Sequence, residues 1–147
     1  MTITAAQVKE LRERTGLGMM ECKGALAETQ GDMNAAIDLL RKKAGSKVEK
    51  KAGRTASEGA IGVYASPDRK QAVMVEVNSE TDFVAKGDDF QAFANAVAAA
   101  IARHKPADVN AIAEIKLESG ETVAKTREGL VSKLGENISV RRFVRLA

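Results

Sequence analysis

The sequence has 147 residues, which is enough for one ordinary domain or two small ones. Hydrophobic residues make up 44% and charged residues 29%, but only 3% are aromatic, so the core has to be aliphatic and Phe is scarce. One Cys and one His exclude an internal disulfide and a Cys/His zinc site, and we expect no cofactor. A net charge of +3 does not by itself indicate a nucleic-acid-binding protein.

The sequence lacks the features of a catalytic or membrane protein. It has no GxxxxGK[ST] phosphate loop, and a pair of Cys22 and His104 is the one arrangement left open for nucleophilic catalysis. Cys22 falls in an apolar helical pattern and His104 falls at a helix end, so a structural role is favoured for both. No signal peptide and no apolar run of ~18–20 residues is found, so we expect a cytoplasmic binding protein and not an enzyme.

Residues 1–44 are predicted to form three short helices. Thr4 is a good N-cap with Gln7 at the third helical position, and the first helix should stop at Thr15-Gly16. The second helix should run from about Met19 to Glu28, and the third should begin after Asp32. Their inner stripes are formed by small and aliphatic residues: Val8, Leu11, Cys22, Ala25, Leu26, Met33, Ala36, Ile37 and Leu40.

Residues 45–57 are predicted to be a basic linker. The surrounding segment RKKAGSKVEKKAGR contains two Gly and, apart from Glu49, its charges are all positive. Its pattern has no apolar period, which favours a solvated connection kept open by like charges. Contact with an acidic partner or with RNA is the alternative, which the absence of aromatic residues weakens.

Residues 58–147 are predicted to be an α+β unit. Alternating apolar residues predict a hairpin of two strands around the turn Ser66-Pro67-Asp68-Arg69. Asp88 should cap a long helix, and another helix should cover about 121–134 before Gly135 ends it. The run 138–144 then predicts a third strand, so helices should pack on one face of a small antiparallel sheet. The long helix has the stripe Phe90, Phe93, Ala94, Val97 and Ile101, and the later one has Val123, Leu130, Val131 and Leu134.

Three segments resemble the elongation factor Ts family of bacteria. Residues 11–26 (LRERTGLGMMECKGAL) are similar to its first signature and residues 76–86 (EVNSETDFVAK) to its second. Residues 135–142 (GENISVRR) are similar to a third segment of the family, and the three segments follow one another in the same order as in the family. Gly24 departs from the Lys usual in the family, and this lowers helix propensity by about 1 kcal/mol relative to Ala.

The resemblance implies a fold and a role. The fold is a three-helix module like a ubiquitin-associated domain, followed by the first half of the family core. The role is exchange of guanine nucleotide: the family binds elongation factor Tu with GDP bound, loosens the nucleotide and lets GTP replace it. Family members continue into a second core half or pair two short chains, so a homodimer is expected if the chain is a short form.

The resemblance also implies which residues contact elongation factor Tu. In the family, the three-helix module docks on the nucleotide-binding domain, and the Thr-Asp-Phe-Val loop inserts its aromatic ring between helices of that domain. From chemistry alone, Phe83 could equally be a core residue. Met19 and Met20 are adjacent, so both cannot face a small core and at least one should face outward. The expected contacts are Thr81, Asp82, Phe83, Val84, Met19, Met20, Arg12, Lys23 and Leu134.

Two other functions also fit the sequence. The three-helix module alone could make the chain an adaptor without exchange activity, although the second signature would then have no role. Alternatively, the basic residues of 41–54 could bind RNA weakly, and such binding would weaken steeply with salt. A test of GDP release from elongation factor Tu separates the exchange factor from both.

Overall fold

The computed structural model describes residues 2–147 and shows the predicted α+β fold. The chain divides into two compact units, one extending to Lys50 and the other comprising Lys51–Ala147. Three helices form the first unit, and a three-stranded antiparallel sheet with helices forms the second.

The first unit contains α1 (Ala5–Thr15), α2 (Met19–Glu28) and most of α3 (Met33–Lys51). Thr4 and Gln7 form the predicted capping box, and Gly16 ends α1 with a left-handed φ of 71°. The Asp32 carboxylate accepts the Ala35 backbone N–H at 3.0 Å, as expected of an N-cap. The core is the predicted set of small and aliphatic side chains: Val8, Leu11, Cys22, Ala25, Leu26, Ala36 and Leu40, with Met33 and Ile37 partly buried against it.

Helix α3 is longer than the sequence pattern predicts. It continues to Lys51, so the first part of the predicted linker is helical and the irregular connection is reduced to residues 52–57. Val48, close to the end of the helix, is buried. Lys43 pairs with Glu28 and Lys47 with Glu21, so α2 neutralises part of the positive charge that was expected to keep this segment open.

The second unit is built on β1 (Glu58–Ala65), β2 (Ala72–Ser79) and β3 (Ser139–Leu146). They form an antiparallel sheet in the order β1-β2-β3. The predicted turn joins β1 to β2, with the Ser66 hydroxyl donating to the Asp68 carboxylate at 2.6 Å. An irregularity between Glu76 and Val77 interrupts the pairing of β2 with β3.

Helix α5 (Asp88–His104) packs on β1 and β2 and buries its predicted stripe. Its N-cap is Gly87 and not the predicted Asp88, and the Gln91 side chain donates to the Ala85 carbonyl at 2.6 Å. A Cβ on Gly62 would lie 2.1 Å from the Ala94 carbonyl oxygen. Only glycine at this position therefore allows the helix to approach β1 so closely.

Two short elements were not predicted: α4 (Asp82–Ala85) and a 3-10 helix (Asn110–Glu114). They are difficult to detect because each has too few residues to display an apolar period. The last helix, α6 (Val123–Leu134), ends at Gly135 as expected. No helix in the described part of the chain is both long and apolar enough to cross a membrane.

The two faces of the sheet differ in exposure. Val73, Val75 and Val77 point into the core and are fully buried. On the opposite face, Val63, Met74 and Val144 are directly paired across the three strands, and each is about half exposed. The alternation of β1 therefore places Gly62 inward against α5 and the larger Val63 outward.

Candidate functional site

Phe83 is the most exposed large apolar side chain of the second unit, with 85% of its surface accessible. It lies in α4, between the end of β2 and the start of α5. Phe90 and Phe93 are buried under the sheet and Phe143 is partly buried. Phe83 therefore lies at the surface. The sequence allowed it to be either a core residue or a partner contact, and it is not a core residue.

The turn that carries Phe83 is held by hydrogen bonds on the residues before it. The Thr81 hydroxyl oxygen accepts the Val84 backbone N–H at 3.3 Å and so caps α4. Glu136 accepts two hydrogen bonds from Thr81, one from its backbone N–H and one from its hydroxyl. The buried Ser79 hydroxyl donates to the Thr81 carbonyl at 2.8 Å. The aromatic ring thus projects from a backbone fixed on its amino-terminal side.

Val84 faces the interior, although it was expected among the partner contacts. Only 9% of its surface is exposed, and the next residue, Ala85, is also buried. Consecutive residues of a helix point about 100° apart, so a turn that displays Phe83 directs its neighbour toward the core. Val84 therefore anchors the turn from below, and the exposed surface of the motif consists of Thr81, Asp82 and Phe83.

Asp82 presents a carboxylate beside the aromatic ring. Lys86, one helical turn further on, donates a hydrogen bond to this carboxylate at 3.2 Å, and both side chains are exposed. This hydrogen bond, together with the positive charge of Lys86, lowers the pKa of Asp82. Asp82 is therefore negatively charged at neutral pH.

The end of α6 lies beside the same turn. Leu134 is the last residue of α6 and is partly buried. Glu136, two residues further on, reaches Thr81 across 55 positions of sequence. Nothing in the sequence pattern predicts this contact. The resemblance pointed to residues 135–142 only as a family segment, without a role for Glu136.

In the first unit, Met19 and Met20 begin α2 and are both exposed, at 57% and 76%. At least one was expected to face outward; both do, because Cys22, Ala25 and Leu26 fill the inner stripe of the helix. Met19 lines a groove of about 580 Å³ together with the predicted Arg12 and Lys23, whereas Met20 lies outside it. The groove has an apolar floor that includes Ile3 and Val8, with Lys9, Arg12 and Lys23 supplying positive charge.

Each unit therefore displays exposed apolar side chains next to charges. The charge near Phe83 includes a carboxylate, and the charge that lines the groove beside Met19 is positive. Exposed aromatic and Met side chains on a rigid framework are typical of protein-binding surfaces. The described surface suits recognition of another protein at both places.

Comparison with known proteins agrees with the sequence resemblance. The family model described as Elongation factor TS matches residues 80–147, which include Thr81, Phe83 and Glu136. The elongation factor Ts of Thioalkalivibrio sulfidiphilus is 58% identical over 146 residues, covering 99% of this chain and 50% of that protein. Those of Arthrospira platensis and Hydrogenovibrio crunogenus are 59% and 54% identical, covering 95% and 97% of this chain and 57% and 48% of theirs.

The chain spans about half the length of the curated relatives it matches. The similarity extends over nearly all of both units, including residues before the part that the family model matches. The order of elements, the three signature segments and these identities point to one conclusion. The chain belongs to the elongation factor Ts family.

Proposed function

We propose that the chain binds elongation factor Tu and promotes release of GDP so that GTP can bind. The observation that carries this proposal is the 85% exposure of Phe83 on a turn fixed by Glu136 and Ser79. Because the backbone of the turn is already fixed, only the side chain of Phe83 loses conformational freedom on binding, and the ring can fill a pocket between helices of the partner. The charged Asp82 beside it can pair with a donor or cation on the partner.

The proposed mechanism needs no covalent step, so the protein acts as a binding factor and not as an enzyme. Exchange requires tighter binding to nucleotide-free elongation factor Tu than to its GDP complex. By linkage, GDP then weakens the binding of the factor by the same ratio. Each ~1.4 kcal/mol of this difference corresponds to a tenfold change in the coupling. Wedging Phe83 into the nucleotide-binding domain would supply that difference.

The first unit contributes a second contact in this proposal. Met19 and Met20 supply adaptable apolar surface, and Arg12 and Lys23 supply charge at its edge. Leu134 is assigned a minor contact because it is partly buried at the end of α6. Val84 supports the turn indirectly, since a buried side chain supplies little area to a partner.

The test measures two quantities with this chain and elongation factor Tu: binding affinity and the rate of release of fluorescent GDP. We expect Phe83→Ala to slow stimulated release at least tenfold, since loss of a buried aromatic anchor typically costs about 2–4 kcal/mol. Asp82→Ala should act in the same direction but less, because it is an exposed charge. Leu146→Ala, which truncates an exposed apolar residue on β3, is the matched control.

The outcomes separate the candidate functions. Unchanged release and binding with Phe83→Ala would refute the insertion mechanism. Binding without any acceleration of GDP release would favour an adaptor. Met20→Ala should weaken binding while circular dichroism stays unchanged, because Met20 is 76% exposed. RNA binding by the basic part of α3 would instead appear as an affinity for RNA that falls steeply between 50 and 200 mM salt, on the order expected for several phosphate contacts.

A further inference from the structure

A cleft of about 590 Å³ in the second unit contains no residue of the partner-binding motif. Three arginines line it, each from a different part of the fold. Arg54 lies in the connection before β1, Arg127 in α6 and Arg141 in β3. None of the lining residues is acidic, and none is aromatic.

Two polar side chains of the cleft are buried. Asn78 and Asn137 both line it and are 7% and 8% exposed. The Asn137 side-chain amide donates to the Arg54 carbonyl at 2.9 Å, which ties the connection before β1 to the segment before β3. The cleft therefore has a defined wall, and is more than a group of mobile surface arginines.

Of the three arginines that line the cleft, Arg127 is the one without a carboxylate partner in the part of the chain that the structure describes. Its guanidinium donates to the Ile138 carbonyl at 2.8 Å and is partly buried, and within residues 2–147 it forms no ion pair. A guanidinium has five N–H donors, so this one keeps donors for a further acceptor. The Ile138 contact holds the side chain in place.

The other two arginines have carboxylate partners outside the lining. Arg54 lies 3.6 Å from Glu80, and Arg141 lies 3.4 Å from Glu76, which also binds Arg142 at 3.0 Å. Both arginine side chains are more than half exposed, and ion pairs of this kind are weak. If an anion draws both arginines into the cleft, Glu76 keeps its pair with Arg142, and Glu80 keeps the hydrogen bond that the Asn137 backbone N–H donates to it at 3.0 Å.

We propose that this cleft binds a small molecule carrying a phosphate or diphosphate group. Arginines recognise such oxyanions through paired N–H donors, and three of them around one cleft supply both charge and directional hydrogen bonds. The volume is in the range of small-molecule sites. The absence of an aromatic side chain argues against base stacking and hence against a site for single-stranded nucleic acid.

The probe for the test is inorganic pyrophosphate, titrated into the full chain at low and at 150 mM salt (roughly physiological ionic strength) and followed by calorimetry and amide NMR shifts. We expect saturable binding, with shifts at residues 52–56 and 137–141. Arg127→Gln should weaken it at least tenfold, and Arg54→Gln should weaken it less. Arg103→Gln is the matched control, because Arg103 is an exposed arginine paired with Glu118 outside the cleft.

Three results would overturn the proposal. The first is no saturable binding of pyrophosphate at millimolar concentration. The second is an equal loss of affinity with Arg127→Gln and Arg103→Gln, which would show non-specific attraction. The third is tighter binding of a short single-stranded RNA than of pyrophosphate, if that RNA binding also depends on Arg127. Unchanged thermal unfolding of Arg54→Gln checks that its loss of binding is not a loss of fold.

Discussion

The carboxylate of Glu136 accepts two hydrogen bonds from Thr81, at 3.0 Å from the backbone nitrogen and 2.7 Å from the hydroxyl oxygen. It thereby joins the segment after α6 to the turn that displays Phe83. Charge-assisted hydrogen bonds of this length are stronger than neutral ones. Because Thr81 also caps α4, the Glu136 contact helps to fix the start of the turn.

Replacing Glu136 with Ala should loosen the turn without unfolding the unit. We expect a loss of about 1 kcal/mol in urea unfolding, because the contact is exposed, and faster hydrogen exchange at the amides of residues 81–84. Glu118→Ala, which removes an exposed glutamate elsewhere in the unit, should leave those amides unchanged. Unaltered exchange in Glu136→Ala would mean that the turn holds its shape without this contact.

Neighbouring residues of α4 should respond in opposite ways to truncation. Phe83→Ala should change the free energy of unfolding by less than about 0.5 kcal/mol, because the ring is 85% exposed. Val84→Ala should cost about 2 kcal/mol, because a buried side chain is shortened and leaves a gap. Denaturant unfolding measures both. A larger loss in Phe83→Ala than in Val84→Ala would contradict the orientation of this turn.

The same substitution at two glycines should have opposite effects on stability. Gly24 is an exposed residue of α2 with free space around it, so Gly24→Ala should stabilise by about 1 kcal/mol through helix propensity. Gly62→Ala should destabilise, because its Cβ would meet the Ala94 carbonyl oxygen at 2.1 Å. Thermal unfolding of the two variants provides the comparison, and a stabilised Gly62→Ala would refute the close approach of α5 to β1.

The pKa of Asp82 should depend on Lys86. In the folded chain the Lys86 hydrogen bond and charge lower the pKa of Asp82. The stabilisation from this pair is therefore present above the unfolded-state pKa, and is lost as the pH falls through the lower folded-state pKa. Lys86→Gln should raise the pKa of Asp82 toward its ordinary value, as carbon-detected NMR titration would show. A pKa that is the same in both proteins would exclude Lys86 as the cause.

Limited proteolysis tests whether the connection between the three helices and the α+β unit is the most accessible part of the chain. Because α3 extends to Lys51, trypsin should cut first where this helix ends, after Lys50, Lys51 or Arg54, and more slowly after Lys43 or Lys47. Peptide mass mapping over time identifies the order of cleavage. Early cleavage within α1 or α2, with Arg54 left intact, would place the flexible boundary elsewhere.

Local signals made most of the fold predictable. The capping box of Thr4 and Gln7, the stop at Gly16 and the buried stripe of α5 depend on residues within one or two turns of each other. The end of α3 was harder to predict, because its helical continuation depends on burial of Val48 and on pairing of Lys43 and Lys47 with α2. A charged segment without an apolar period carries no local sign of such tertiary contacts.

The candidate site also has features that the sequence predicts and features that depend on tertiary contacts. The sequence by itself determined the family and the motif that contains Phe83, since both are recognised from short runs of consecutive residues. Only the tertiary structure decided that Phe83 faces outward and Val84 inward, and that Glu136 fixes the turn from 55 positions away. These outcomes depend on which surfaces the folded core leaves free and on which distant chain segments it brings together. A short sequence motif carries no information about either.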